Sequence, residues 1–364
     1  MVERSGIPLS ELTTLRLGGP AKRIVDAETE ADLIDAVREC DSRGEPVLVL
    51  GGGSNLVVAD EGFEGTVVRV ATRGVDVDSA GCEADDLAAC GGVIVTVAAG
   101  ESWDELVERA VGERWVGIEA LSGIPGAVGA TPMQNVGAYG QDVAQTIWTV
   151  RTYDRVDQRV RTFANADCRF EYRKSRFKGS ERYVILSVSY QLRQGTLGAP
   201  VGYAELARKL GVQPGERAPL DDVRAAVLEL RRRKGMVLDA ADHDTWSAGS
   251  FFTNPVLDAA DADRLPEGAP RWSQPDGKIK TSAAWLIEHA GFGRGYPSTA
   301  GTDGGNDRPD ARVSLSTKHT LALTNRGGAS TDELLALARE IRACVRDVFG
   351  IELTNEPVLV GCTL

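Results

Sequence analysis

The stretch from Pro46 to Val70 most constrains what this chain can fold into. It reads PVLVL, then GGGSN (51–55), then LVVADEGFEGTVVRV. A short apolar run that ends at glycines predicts a buried strand, and the residues after the glycines predict strand, turn and strand again. Upstream, RIVDA (23–27) predicts a strand and TEADLIDAVREC (29–40) a helix. Thr29 and Asp32 stand at capping-box spacing, and Leu33, Val37 and Cys40 fall on one face. The beginning is β-α-β, the mark of a mixed α/β chain. Two familiar nucleotide-binding loops are nevertheless excluded. A P-loop needs Gly-Lys-Ser/Thr at its end, and a Rossmann turn opens directly into a helix. Glycines here would let backbone N–H groups approach a phosphate closely. They would serve a tight turn equally well, and the glycines alone leave both readings open.

Strands are expected again at VDVDSA (75–80) and VIVTVAAG (93–100), then a helix at SWDELVERAVGER (102–114) with Ser102 and Glu105 as a capping box. The next stretch, GIEALSGIPGAVGATPMQNVGAYGQD (117–142), is the least regular in the chain, glycine-rich and nearly uncharged. It is too apolar for a disordered linker. So many small residues predict backbone packed against a flat, bulky ligand, the alternative being a crossover between subdomains. Gln134 and Asn135 supply amide groups there and favour the ligand.

Charge sharpens the argument. The net charge is −12, so the surface as a whole repels nucleic acid and anionic membranes. An anionic ligand then needs a local concentration of cations. Arg169, Arg173, Lys174, Arg176 and Lys178 supply one, interleaved with Tyr172, Ser175 and Phe177 ahead of the apolar run YVILSVSY. At period two, one side of that strand would turn cations toward an anion; the alternative is a solvated charged face. RQGTLGAP and GVQPGERAP mark a domain break within 195–220. Beyond it come a helix, LDDVRAAVLELRRRKG, ending in cations and Gly235, then AGSFFTNP (248–255), then Lys278 and Lys280 ahead of a short helix. AGTDGGNDRPDA (300–311) reads as an exposed insertion. STDELLALAREIRACVRDVFG is a helix capped by Ser330 and Glu333 and stopped by Gly350. The final stretch IELTNEPVLVG is expected as a strand carrying Glu356. Six scattered cysteines without C-x-x-C or metal spacing predict free thiols in a reducing cytoplasm and no metal site. No membrane insertion or obligate protein partner is expected.

Seven phrases, TTLRLGGPA, GGGSN, GIPGAVGA, QNVGAYGQ, YRKSRFK, AGSFFTNP and NEPVLVG, occur in this order over nearly the whole chain. Together they resemble the UDP-N-acetylenolpyruvoylglucosamine reductases, cytoplasmic flavoenzymes of peptidoglycan precursor synthesis. The resemblance implies a non-covalent FAD domain of the vanillyl-alcohol-oxidase type (1–200) and an α/β substrate domain (201–364), with NADPH as reductant and a UDP-sugar enolpyruvyl ether as substrate. It implies FAD contacts from Gly51, Gly52, Gly53, Ser54 and Asn55, and from Gly123, Ile124, Pro125, Gly126, Ala130, Gln134, Asn135, Gly137, Ala138, Tyr139 and Gly140. Catalysis falls on Ser250 as general acid with Arg173 and Glu356; Tyr172, Lys178, Tyr203, Lys234, Asn254 and Lys280 fall at the substrate. Position 253 is Thr where many relatives carry Lys, and the 300–311 insertion matches nothing in the family pattern.

A lone serine in AGSFFTNP otherwise reads as a turn residue. A serine hydrolase is disfavoured because no G-x-S-x-G surrounds Ser250. Related oxidases on the same fold often tether FAD through histidine, and no histidine precedes His243. A flavin- or UDP-sugar-binding module without turnover is the alternative of a different class.

Overall fold

Local signals place most elements of the chain. The computed structural model describes residues 2–79, 92–274, 276–297, 308 and 310–364. Cys82, Cys90 and most of the 300–311 insertion lie outside the described residues. In chain order the elements are β1 (Val2–Arg4), β2 (Ala21–Ala27), α1 (Glu30–Arg43), β3 (Val47–Leu50), β4 (Leu56–Val58), β5 (Phe63–Val70), β6 (Val75–Ser79), β7 (Gly92–Ala98), α2 (Trp103–Gly112) and β8 (Trp115–Val116). There follow β9 (Gly137–Ala138), β10 (Gln141–Asp142), β11 (Ile147–Asp154), β12 (Arg159–Ala164), β13 (Tyr183–Gln194), α3 (Ala204–Leu210) and α4 (Leu220–Arg233). The last are β14 (Val256–Leu257), α5 (Ala259–Ala262), β15 (Trp272–Ser273), β16 (Ile279–Lys280), α6 (Ala283–His289), β17 (Val313–Leu315), β18 (Leu323–Asn325), α7 (Thr331–Phe349) and β19 (Val358–Val360).

Helix α1 carries the full capping box of Thr29 and Asp32, and Gly44 ends it in the left-handed conformation. Helix α7 does the same with Ser330, Glu333 and Gly350. Helix α2 has half of the expected box: Ser102 accepts the Glu105 N–H.

Two compact units emerge, and neither is a contiguous stretch. The first holds residues 1–6, 22–52 and 64–233; the second holds 7–21, 53–63 and 234–364. Helices α3 and α4 thus pack with the first unit, whereas the sequence placed residues 201–233 with the second half. In the first unit one sheet runs β1-β2-β5-β3, with β3 parallel to β5. Another runs β12-β11-β13-β7-β6, and β8 pairs with the end of β13. Val95, Val97, Val150 and Val188 are fully buried on that sheet against Trp103 and Val107 of α2. In the second unit, Leu334, Ala338, Ile341 and Val345 of α7 form a core with Leu286, Phe251 and Phe252. Strands β4 and β19 pair in parallel there, although hundreds of residues separate them.

Two expectations about strands need correction. Residues 169–181 are not strand: β13 begins only at Tyr183, and Arg169 and Arg173 adopt left-handed φ of 53° and 52°. The cations therefore do not alternate on a sheet face. Likewise only Val358–Val360 of the C-terminal stretch is strand, and ahead of Pro357 the stretch forms an isolated antiparallel bridge, Asn355 with Phe252.

Candidate active site

In the first unit a cavity of about 610 Å³ is walled by Gly51, Gly52, Gly126 and Ala127, with Glu28, Arg69, Arg73 and Glu101 also lining it. The two glycine turns lie almost in van der Waals contact. A Cβ on Gly52 would stand 2.6 Å from the Gly126 Cα, so only glycine fits. The wall is consequently bare backbone, which suits the close approach of a diphosphate-bearing cofactor. Arg69 pairs with Asp26 and Arg73 with Glu101, so the cations of this cavity already face carboxylates. Gly53, Ser54 and Asn55 continue the loop into the second unit.

The rest of the glycine-rich loop is fixed by polar contacts. The Gly123 N–H donates to Asp104 Oδ1 at 2.6 Å, and Arg224 donates to the same carboxylate at 2.7 Å. Burial alone would raise the Asp104 pKa, but these donors hold it below the usual carboxylate range. Ile124 packs on the core of the six-stranded sheet, and Ala130 is exposed. Asn135, at φ 48°, accepts from the Ala144 N–H and donates to the Glu171 carbonyl. Gly137 and Ala138 form β9, and Gly140 turns the chain back to β10 at φ 86°. Tyr139 meets Tyr203 edge-on, ring centroids 5.4 Å apart. Burial pushes the Tyr139 hydroxyl up to about 12.

The cation loop packs on this segment. Arg173 donates to the Gly137 carbonyl at 3.0 Å and to the Asn135 carbonyl at 3.5 Å. Lys178 donates to the Arg173 carbonyl at 3.1 Å and reaches Gln134 Oε1 at 3.5 Å. Tyr172 is exposed beside Arg173. Burial raises the pKa of Asp142 even though Arg173 acts in the opposite sense. The structure therefore gathers Gln134, Asn135, Gly137, Tyr139, Arg173, Lys178 and Tyr203 in one region of the first unit.

The second unit gathers another set. Residues 251–253 lie antiparallel to 354–356: the Glu356 N–H donates to the Phe251 carbonyl at 2.8 Å, and the Thr253 N–H to the Thr354 carbonyl at 3.0 Å. Ser250 and Glu356 are thus one residue apart across a ladder, and both are half-buried. Asn55 closes the group, donating its side-chain amide to the Glu356 carbonyl at 3.3 Å and accepting the Val358 N–H. Asn254 is drawn into architecture, its Oδ1 accepting the Ala283 N–H at the start of α6. Lys280 lies in β16 between Val256 and Trp272 on its two neighbours. Lys234 follows directly on α4 and is half-buried.

Sequence reasoning missed Asp104, Arg224, and the buried pair Glu119 and Gln141. Glu119 had a legible signal, as the one charged residue of 117–141. Asp104 had none, since it reads as an ordinary first-turn acid of α2.

The pattern of the UDP-N-acetylenolpyruvoylglucosamine reductase C-terminal domain matches residues 241–360, and that of an FAD-binding domain matches residues 21–159. A UDP-N-acetylenolpyruvoylglucosamine reductase of Cutibacterium acnes is 55% identical, over 98% of this chain and 90% of its own length. That of Thermobifida fusca is 54% identical, over 98% of each chain. The crystal structure of the Thermus caldophilus reductase superposes with a TM-score of 0.63 at 24% identity, covering 99% of this chain and 100% of its own, and shares the fold.

Proposed function

We propose a division of labour among these residues from one premise: the chain belongs to the UDP-N-acetylenolpyruvoylglucosamine reductase family. It is an FAD-binding oxidoreductase of peptidoglycan precursor synthesis. The chemistry that bound FAD would supply is hydride transfer from NADPH to the terminal carbon of the enolpyruvyl group. The cofactor would lie along the 51–55 turn, with Gly51, Gly52, Gly53, Ser54 and Asn55, and along the 123–140 loop. Tyr172, Lys178, Tyr203, Lys234, Asn254 and Lys280 would receive the anionic UDP-sugar, Tyr203 covering it.

Hydride addition pushes negative charge toward the substrate carboxylate. Arg173 would meet that charge as a planar cation whose position is fixed by the 135–137 carbonyls. Ser250 would deliver a proton to the neighbouring carbon. A hydroxyl is a weak acid, but an enolate carbon is basic enough to take its proton when the geometry is held. Glu356 would polarise the same intermediate. The observation that carries this reading is the ladder of 251–253 on 354–356, closed by Asn55. It brings a hydroxyl, a carboxylate and a loop residue expected at the flavin to one place.

Stopped-flow measurement of the two half-reactions tests it. Ser250→Ala should keep FAD and its reduction by NADPH, and slow reoxidation by the enolpyruvyl substrate by roughly 10²–10⁴-fold. Unchanged reoxidation would remove Ser250 as the acid.

A further inference from the structure

Glu119 is a carboxylate buried to 1% exposure, and among the described residues no Lys or Arg pairs with it. Its charge is met by three N–H donors instead. The Gly117 N–H donates to Oε2 at 2.7 Å. The Gln141 side-chain amide and the Ala199 N–H donate to Oε1 at 2.9 and 2.6 Å. Gln141 in turn accepts the Ala120 N–H at 2.8 Å. Such charge-assisted bonds are stronger than neutral ones, and a buried anion held by them fixes every segment that donates.

The three segments are informative. Gln141 lies two residues past Tyr139, on the return strand of the β9–β10 hairpin. Ala199 lies four residues before Tyr203, and Tyr203 is the N-cap of α3, its carbonyl accepting the Ala207 N–H. A Cβ on Gly140 would come 3.8 Å from the Tyr203 N and 4.0 Å from its Cβ, so the hairpin tip lies beside Tyr203. Glu119 therefore ties together, at one oxygen, the two strands of chain that carry the edge-on Tyr139–Tyr203 pair.

We propose that Glu119 is a positioning residue for Tyr203. Its carboxylate sets where that ring stands over the bound UDP-sugar, an inference that rests on the role given to Tyr203 above. Replacement by Gln keeps the shape but turns an acceptor into an NH₂ facing other donors, which releases at least one segment.

The test is a double-mutant cycle on the oxidised, FAD-loaded enzyme without NADPH, reading the Kd of the enolpyruvyl UDP-sugar from the flavin absorbance change. Glu119→Gln and Tyr203→Ala should each weaken binding on the order of tenfold, within the ordinary range of coupling between sites. The double variant should bind no worse than Tyr203→Ala alone, because a side chain that acts only through Tyr203 has nothing left to position. Additive losses would overturn the proposal while leaving Tyr203 at the substrate. An unaltered Kd in Tyr203→Ala would overturn both. Should Glu119→Gln not fold, Gly198→Ala presses on the same carboxylate, since its Cβ would stand 2.8 Å from Oε1. It should show the same non-additivity with Tyr203→Ala, and additivity would again overturn the proposal.

Discussion

Three neighbouring cations have three different surroundings. Arg173 spends its guanidinium on the carbonyls of Asn135 and Gly137. Lys174 forms a surface pair with Glu171. Arg176 lies over the Phe163 ring at 4.3 Å and donates to the Asp167 carbonyl. Arg173→Lys keeps the charge but replaces a rigid fork with a mobile point. It should slow the second half-reaction more than it weakens substrate binding. Lys174→Ala should do little, as exposed pairs contribute roughly 0–1 kcal/mol. Arg176→Ala should lower stability through lost packing and leave both half-reactions near normal. Rapid-mixing traces and melting curves of the three variants decide this; equal, mild effects on the second half-reaction would take Arg173 out of the active site. That cations cluster here is legible in the sequence. Their separate assignments are not, because they follow from left-handed turns at Arg169 and Arg173 that no local propensity demands.

Among the elements, the glycine turn after β3 is the one whose composition was plain and whose purpose was open. The structure shows why two adjacent glycines differ. A Cβ on Gly51 would meet the Ala127 Cβ at 3.4 Å, whereas one on Gly52 would run into the backbone of Gly126. Gly52→Ala should therefore force the two turns apart and yield protein with a reduced flavin-to-protein absorbance ratio. Gly51→Ala should retain most of its flavin. Equal flavin content in both would mean that the close approach of the turns does not shape the cofactor site. Helices behave otherwise, since the capping boxes of α1 and α7 involve residues three apart and were readable in advance.

For the molecule as a whole, acid sensitivity should trace to carboxylates fixed by arginine. Asp154, fully buried at the end of β11, accepts from Arg182 Nε and Nη2 at 2.8 Å. These bonds, against the opposing effect of burial, lower its pKa to about 2 from the ordinary 3.8. A depressed pKa stabilises the fold above 3.8, and the contribution is lost as pH falls through about 2. Asp154→Asn should thus be less stable than the parent at neutral pH, and the gap should close as pH falls from about 4 toward 2. Urea midpoints across that window check it; a gap independent of pH would show that the ionised carboxylate contributes nothing.

The mixed α/β class, the strand-glycine-strand that rules out a P-loop or Rossmann turn, the capped helices and, through seven ordered phrases, the family are all legible in residue order. All of these are written in residues a few positions apart, where periodicity and capping act. It took the folded chain to show that residues 7–21 and 53–63 join the second unit, and that residues 251–253 lie against 354–356. The fold alone set Asn55 against the Glu356 carbonyl, 301 residues away, and gave the buried Glu119 its donors from three segments. The reason is that apolar burial is non-directional. Local pattern says which face of an element must be covered, and only the assembled core says which distant segment covers it.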